Sequence, residues 1–139
     1  MKHYKQTTET ENSTLKEPTL AYAASSFYHL SHRSISKIYI KKVLQLAKLS
    51  VLELISILPI SIDTYKKKVE FNPSVTEKVL EIEEVYRKGI QAFGESFHTW
   101  MNTENIALGA VKPKALLSNS FGIRMLLDEI GRLEHGVLA

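Results

Sequence analysis

Apolar residues recur at helical spacing along most of the chain, and the polar residues between them fall where helices start and stop. Behind Ser34, an expected N-cap, Ile35, Ile38, Tyr39, Lys42, Val43, Leu46 and Leu49 recur at helical spacing, with only Lys42 charged. Ser50 caps a second predicted helix, Val51 to Leu58, which Pro59 stops; Ser61 caps a third carrying Ile62, Tyr65 and Val69. Asn72, with Pro73 at the first helical position, opens a long helix in which Val75, Val79, Ile82, Tyr86, Ile90 and Phe93 share a face. Gly89 weakens that helix slightly and Gly94 ends it. Beyond it, Phe97, Trp100 and Met101 predict a short helix, residues 102–112 a loop, and Pro113 to Leu117 another short helix. Ser118, Asn119 or Ser120 caps the last helix, whose apolar stripe is Ile123, Leu126, Leu127, Ile130 and Leu133, and Gly136 stops it. No strand is predicted, so the expected fold class is all-α.

The chain divides into three expected parts: a flexible segment over 1–33, a helical unit over 34–93, and a small helical region over 94–139. Residues 1–19 carry few apolar side chains and read as a tail. Leu20 to Leu30 reads either as a short amphipathic helix or as an arm that orders on a partner. Within the second part, Val51 to Leu58 and Ser61 to Val69 are joined by roughly three residues, the spacing of a helix-turn-helix. The second helix of such a unit enters the major groove. That makes Ser61, Thr64, Lys66, Lys67 and Lys68 the candidate DNA-binding residues, with the lysines placed for phosphates and Thr64 for a phosphate or base edge.

Charge supports this only modestly. The whole chain is +3, but Lys37, Lys41, Lys42, Lys48, Lys66, Lys67, Lys68 and Lys78 outnumber Glu53, Asp63, Glu70 and Glu77 in the same stretch. A lysine run on a helix is more usually a solvated face. Without Arg or Asn/Gln pairs, base discrimination would have to come from dimerisation and DNA shape.

With 44% apolar residues there is material for a packed core, and with no cysteine there is neither a disulfide nor a thiolate metal site, which fits a cytoplasmic protein. No signal peptide is evident, and the greasiest run, Val51 to Ile62, contains Glu53 and Pro59 and is too short for a bilayer. His29 and His32 lack a third ligand nearby, and there is no Gly-rich phosphate loop or nucleophile elbow. No metal, cofactor or catalytic residue is therefore expected, and the chain reads as a non-enzyme.

From Phe93 on, the sequence resembles the Xre/MbcA/ParS-type antitoxins, partners of RES-domain toxins. The resemblance is carried by Phe93-Gly94, Trp100-Met101, Asn105-Ile106-Ala107-Leu108-Gly109, Pro113-Lys114-Ala115-Leu116-Leu117, Gly122 and the closing run from Arg132 to Ala139. A weaker similarity reaches back to Ser34, through Leu54, Leu58-Pro59-Ile60-Ser61 and Thr64, and resembles the family's Xre-like helix-turn-helix bundle. The chain departs from the family pattern at Pro59, at the lysines of the second helix, at Glu104 and at Lys112. The resemblance implies a homodimer that binds and blocks a RES-domain, NAD-consuming toxin with its C-terminal region and represses its own operon on operator DNA. It assigns toxin binding to Trp100, Asn105, Leu108, Arg132, Glu134, His135, Gly136, Val137, Leu138 and Ala139. Read from the residues alone, Trp100, Leu108, Leu116, Leu126 and Ile130 are more often core than interface, and Val137 to Ala139 a frayed end. The alternative function is a stand-alone helix-turn-helix transcriptional regulator whose C-terminal region only dimerises.

Overall fold

The computed structural model describes residues 24–136, with side chains from Phe27 on. Its helices are α1 (Ala24–Leu30), α2 (Lys37–Ala47), α3 (Val51–Ile55), α4 (Ile62–Lys67), α5 (Pro73–Phe93), α6 (Ser96–Met101) and α7 (Ser120–Glu134). Two 3₁₀ segments, Ile106–Leu108 and Pro113–Ser118, lie between α6 and α7. The fold is all-α except for one two-rung ladder, β1 (Ile35–Ser36) against β2 (Glu70–Phe71), antiparallel, with Ile35 opposite Phe71. The Leu20 to Ala23 part of the expected first helix lies outside the described residues.

Local signals explain most boundaries. Ser50 accepts from the Glu53 amide while the Glu53 side chain accepts from the Ser50 amide, a reciprocal capping box. Ser61, Asn72 and Asn119 each accept an amide of the following first turn, and Pro73 starts α5 where its missing N–H is not needed.

Four expectations need correction. The cap of α2 is Ser36, not Ser34, because Ile35 and Ser36 are extended and pair with β2 before the helix begins. α3 ends at Ile55 and continues only as a hydrogen-bonded turn to Leu58, since the residue before a proline avoids helical geometry. The third helix stops at Lys67, so Val69 is exposed, and the chain buries Phe71 instead. Ile38 is also exposed; α2 turns Tyr39, Ile40, Val43, Leu44 and Ala47 inward.

One continuous core runs from Leu30 to Ile130. α5 is its axis: α2 packs on one side, α6 and α7 on others. Each large side chain that α5 buries, such as Val79, Ile82 or Val85, contributes roughly 1.5–3 kcal/mol of transfer free energy. The core also holds a carboxylate, Glu83, fully buried between α2 and α5. The Tyr39 hydroxyl donates to its Oε1, and Arg87 Nε lies 3.7 Å from its Oε2. Burial pushes the Glu83 carboxyl up to about 7, against the opposing pull of Tyr39 and Arg87. The sequence offered a signal: Glu83 stands four residues after Val79 and three before Tyr86, on the apolar face.

Candidate functional site

Two surfaces gather the residues singled out from the sequence. The first is the far end of the α3–α4 pair. Ser61 closes the N-terminus of α4, accepting from the Thr64 amide at 3.1 Å and donating to the Thr64 hydroxyl at 3.0 Å. Lys66, Lys67 and Lys68 are exposed, and Thr64 is half-buried. Tyr65 faces inward and stacks on Phe71 at 5.7 Å, which fixes the rotation of α4 and so turns the lysines outward.

Lys37, not among the candidate DNA contacts, joins this cluster from the start of α2. Its ammonium donates to the Lys66 carbonyl at 3.1 Å and lies 4.8 Å from the centre of the Tyr65 ring, while its amide donates to the Val69 carbonyl. It satisfies an orphan carbonyl at the helix end and adds a fourth positive charge beside Lys66 to Lys68. The β1–β2 ladder is what brings it there, and no local pattern in the sequence announces that pairing.

The second surface is built by the chain from α6 onward. Phe97 is buried at the point where α5 carries Gly89; a Cβ on Gly89 would lie 2.1 Å from the ring. Trp100, half-buried, stacks on Phe97 at 5.5 Å. After α6 the chain makes a closed loop between Asn105 and Val111, which pair across it. The Asn105 carboxamide accepts from the Ala107 amide at 2.8 Å, and Leu108 is buried, so both hold the loop in shape from within. Gly109 and Ala110 take positive φ to complete it. The loop leaves Ile106 the most exposed large apolar side chain among the described residues, at 90%.

Lys114 then ties this region back to α3: its ammonium donates to Glu53 Oε2 at 2.6 Å and Asn102 Oδ1 at 3.0 Å. That bond, with the Ser50 amide, holds the Glu53 carboxyl below its ordinary range. In the last helix Arg132 pairs with the nearly buried Glu129 at 2.7 Å. Glu134, His135 and Gly136 are exposed; His135 Nδ1 lies 2.8 Å from the Gly131 carbonyl, and Gly136 turns the chain with φ 71°. Val137, Leu138 and Ala139 lie outside the described residues. Thus Trp100, Asn105 and Leu108 belong to the body of this region, and Arg132 to Gly136 to its far end. No group of three or more potential metal ligands occurs among the described residues. No helix among them is long and apolar enough to cross a membrane.

Residues 89–136 match the antitoxin Xre/MbcA/ParS C-terminal toxin-binding domain. The C-terminal region is similar to the toxin-binding domain of the Xre/MbcA/ParS antitoxins. The match begins at Gly89, inside α5 where Phe97 is seated, and takes in α6, the Asn105–Val111 loop and α7. The chain is also 35% identical over 72 residues to an antitoxin Xre of Yersinia enterocolitica serotype O:8 / biotype 1B. The aligned part is 50% of this chain and 49% of that relative, so the chain spans about half the length of the curated relative.

Proposed function

We propose that this protein is the antitoxin of a toxin–antitoxin pair: its C-terminal region binds and blocks a RES-domain, NAD-consuming toxin, and its α3–α4 unit holds operator DNA. The observation that carries the reading is the match of residues 89–136 to a toxin-binding domain whose exposed far end is Arg132 to Gly136. The chain acts by occupancy, not catalysis, in the cytoplasm. Val137 to Ala139 enter the toxin's cleft. Arg132 is held by Glu129 in the free chain, so its use at the rim requires exchanging that partner for one on the toxin.

The DNA half of the reading rests on Ser61 and Thr64 at the start of α4 and on Lys66, Lys67 and Lys68, reinforced by Lys37. A homodimer places two such helices on two half-sites and supplies the specificity that lysine contacts lack. The two surfaces support a division of labour between residues 34–93 and 94–139.

The test uses the purified chain and the protein from the neighbouring reading frame. An equimolar amount of chain should stop NAD consumption by that protein, and the chain should shift its own promoter DNA. Replacing Lys66, Lys67 and Lys68 by Ala should leave NAD protection intact while reducing the salt slope of DNA binding by about 0.9 for each phosphate no longer neutralised. A neighbouring protein whose NAD consumption is indifferent to the chain refutes the antitoxin reading and favours a plain regulator.

A further inference from the structure

α7 has a second face that is exposed. Its inward side is Gly122, Ile123, Leu126, Glu129 and Ile130. On the outward side Phe121, Met125, Asp128 and Arg132 step by four, three and four residues. Phe121 is 73% exposed and Met125 43%. Other exposed large apolar side chains stand singly along the chain; these two are the only pair at i,i+4 on one helix among the described residues. The Arg124 guanidinium lies 5.3 Å from the centre of the Phe121 ring, so the patch carries a cation at its edge.

We propose that the Phe121–Met125 face, with Arg124, is a docking surface for the toxin, seated in an apolar pocket edged by carboxylates. This rests on the antitoxin reading above and extends it to residues no part of that reading uses. Three observations choose the toxin over a second copy of this chain. The face lies inside the region matched to a toxin-binding domain. It continues down the same side of the helix to Arg132, so one partner can cover both without a break. It is also too small to hold two copies together: two such side chains offer about 300 Å², whereas a stable interface takes roughly 800 Å² from each partner. As an extension of a larger contact it is well composed, since Phe, Met and Arg are the residues enriched in interface centres. The toxin is thereby gripped along α7.

The experiment co-expresses the full chain with the tagged product of the neighbouring reading frame and measures the dissociation constant of the purified complex. The double variant Phe121→Ser/Met125→Ser should bind at least ten-fold more weakly, with an unchanged urea midpoint for the free chain. Phe121→Leu/Met125→Leu, which keeps the apolar surface, should stay within about three-fold of the parent. Binding of the Ser variant within two-fold of the parent overturns the proposal. So does a Ser variant that turns a dimeric chain monomeric by light scattering while keeping its toxin affinity, because the face then belongs to a second copy. A parent chain that binds no toxin at all overturns the antitoxin reading and this proposal together, and is told apart because it needs no variant to be seen.

Discussion

Gly122 and Gly131 sit in the same helix, and the packing predicts opposite results when each becomes alanine. At Gly122 a Cβ would lie 2.0 Å from the Leu116 carbonyl oxygen and 2.8 Å from its carbon. These are backbone atoms of the Pro113–Ser118 segment and cannot rotate away. Reaching an ordinary approach of about 3.4 Å requires the helix and the segment to part by about 1.4 Å. Interiors resist such gaps, so Gly122→Ala should cost about 3 kcal/mol, the upper part of the overpacking range. At Gly131 nothing lies within 4 Å of the added carbon. There the substitution only removes glycine's backbone freedom in a helix interior and should stabilise by about 0.8 kcal/mol. Urea unfolding followed by circular dichroism reads both. With a slope near 1.5 kcal/mol/M, Gly122→Ala lowers the midpoint by about 2 M and Gly131→Ala raises it by about 0.5 M. A Gly122→Ala protein as stable as the parent, or a Gly131→Ala protein less stable, would refute the placement of α7 on the Pro113–Ser118 segment.

Two further predictions concern buried and bridging charge. Glu83 has its folded-state value raised from 4.5 to about 7, so the native state keeps a proton that the unfolded chain has given up. Its contribution is fully present below pH 4.5 and is lost as pH rises through 7, a change of about 3 kcal/mol. The stability of the parent relative to Glu83→Gln, whose neutral amide stands in for the protonated carboxyl, should therefore fall by that amount between pH 4.5 and 8; a relative stability that stays flat or moves in the parent's favour sinks the assignment. Glu53 is shifted the other way, by Lys114 first. The bridge is partly exposed, with Lys114 at 24% and Glu53 at 45%, so Lys114→Ala should cost about 1 kcal/mol at pH 7, and the cost should fade as pH falls through the lowered Glu53 value. A cost that persists once Glu53 is protonated would mean that Lys114 acts through packing instead.

How much the sequence revealed follows from how local each cause is. Asn72-Pro73 and Gly94 bracket α5 because capping is decided within one turn, and the Val75-to-Phe93 face is legible because helical spacing is fixed. The same locality makes Ser50 and Ser61 legible as caps and narrows the last cap to Ser118, Asn119 or Ser120, of which Asn119 serves. What stays hidden depends on distant partners. Ser36 displaces Ser34 as the cap of α2 because Ile35 meets Phe71 across the chain, and two rungs leave no alternating pattern to detect. Gly89 reads as a minor weakness in a helix until Phe97 is placed against it. At the candidate sites, Lys66, Lys67 and Lys68 are visible as a run, whereas Lys37 joins them only through the folded ladder. Leu108 and Asn105 stand out through a resemblance that marks a loop; folding shows the two holding that loop, with Ile106 projecting from it.

The central claim is that the end of the chain, presented by α7, silences a toxin. Its most direct test is growth of bacteria expressing the neighbouring-frame toxin together with either the full chain or a chain truncated after Glu134. The account predicts that the full chain restores growth and the truncated chain, folded to the same urea midpoint, does not. Restored growth with the truncated chain, or none with the full chain, would contradict it.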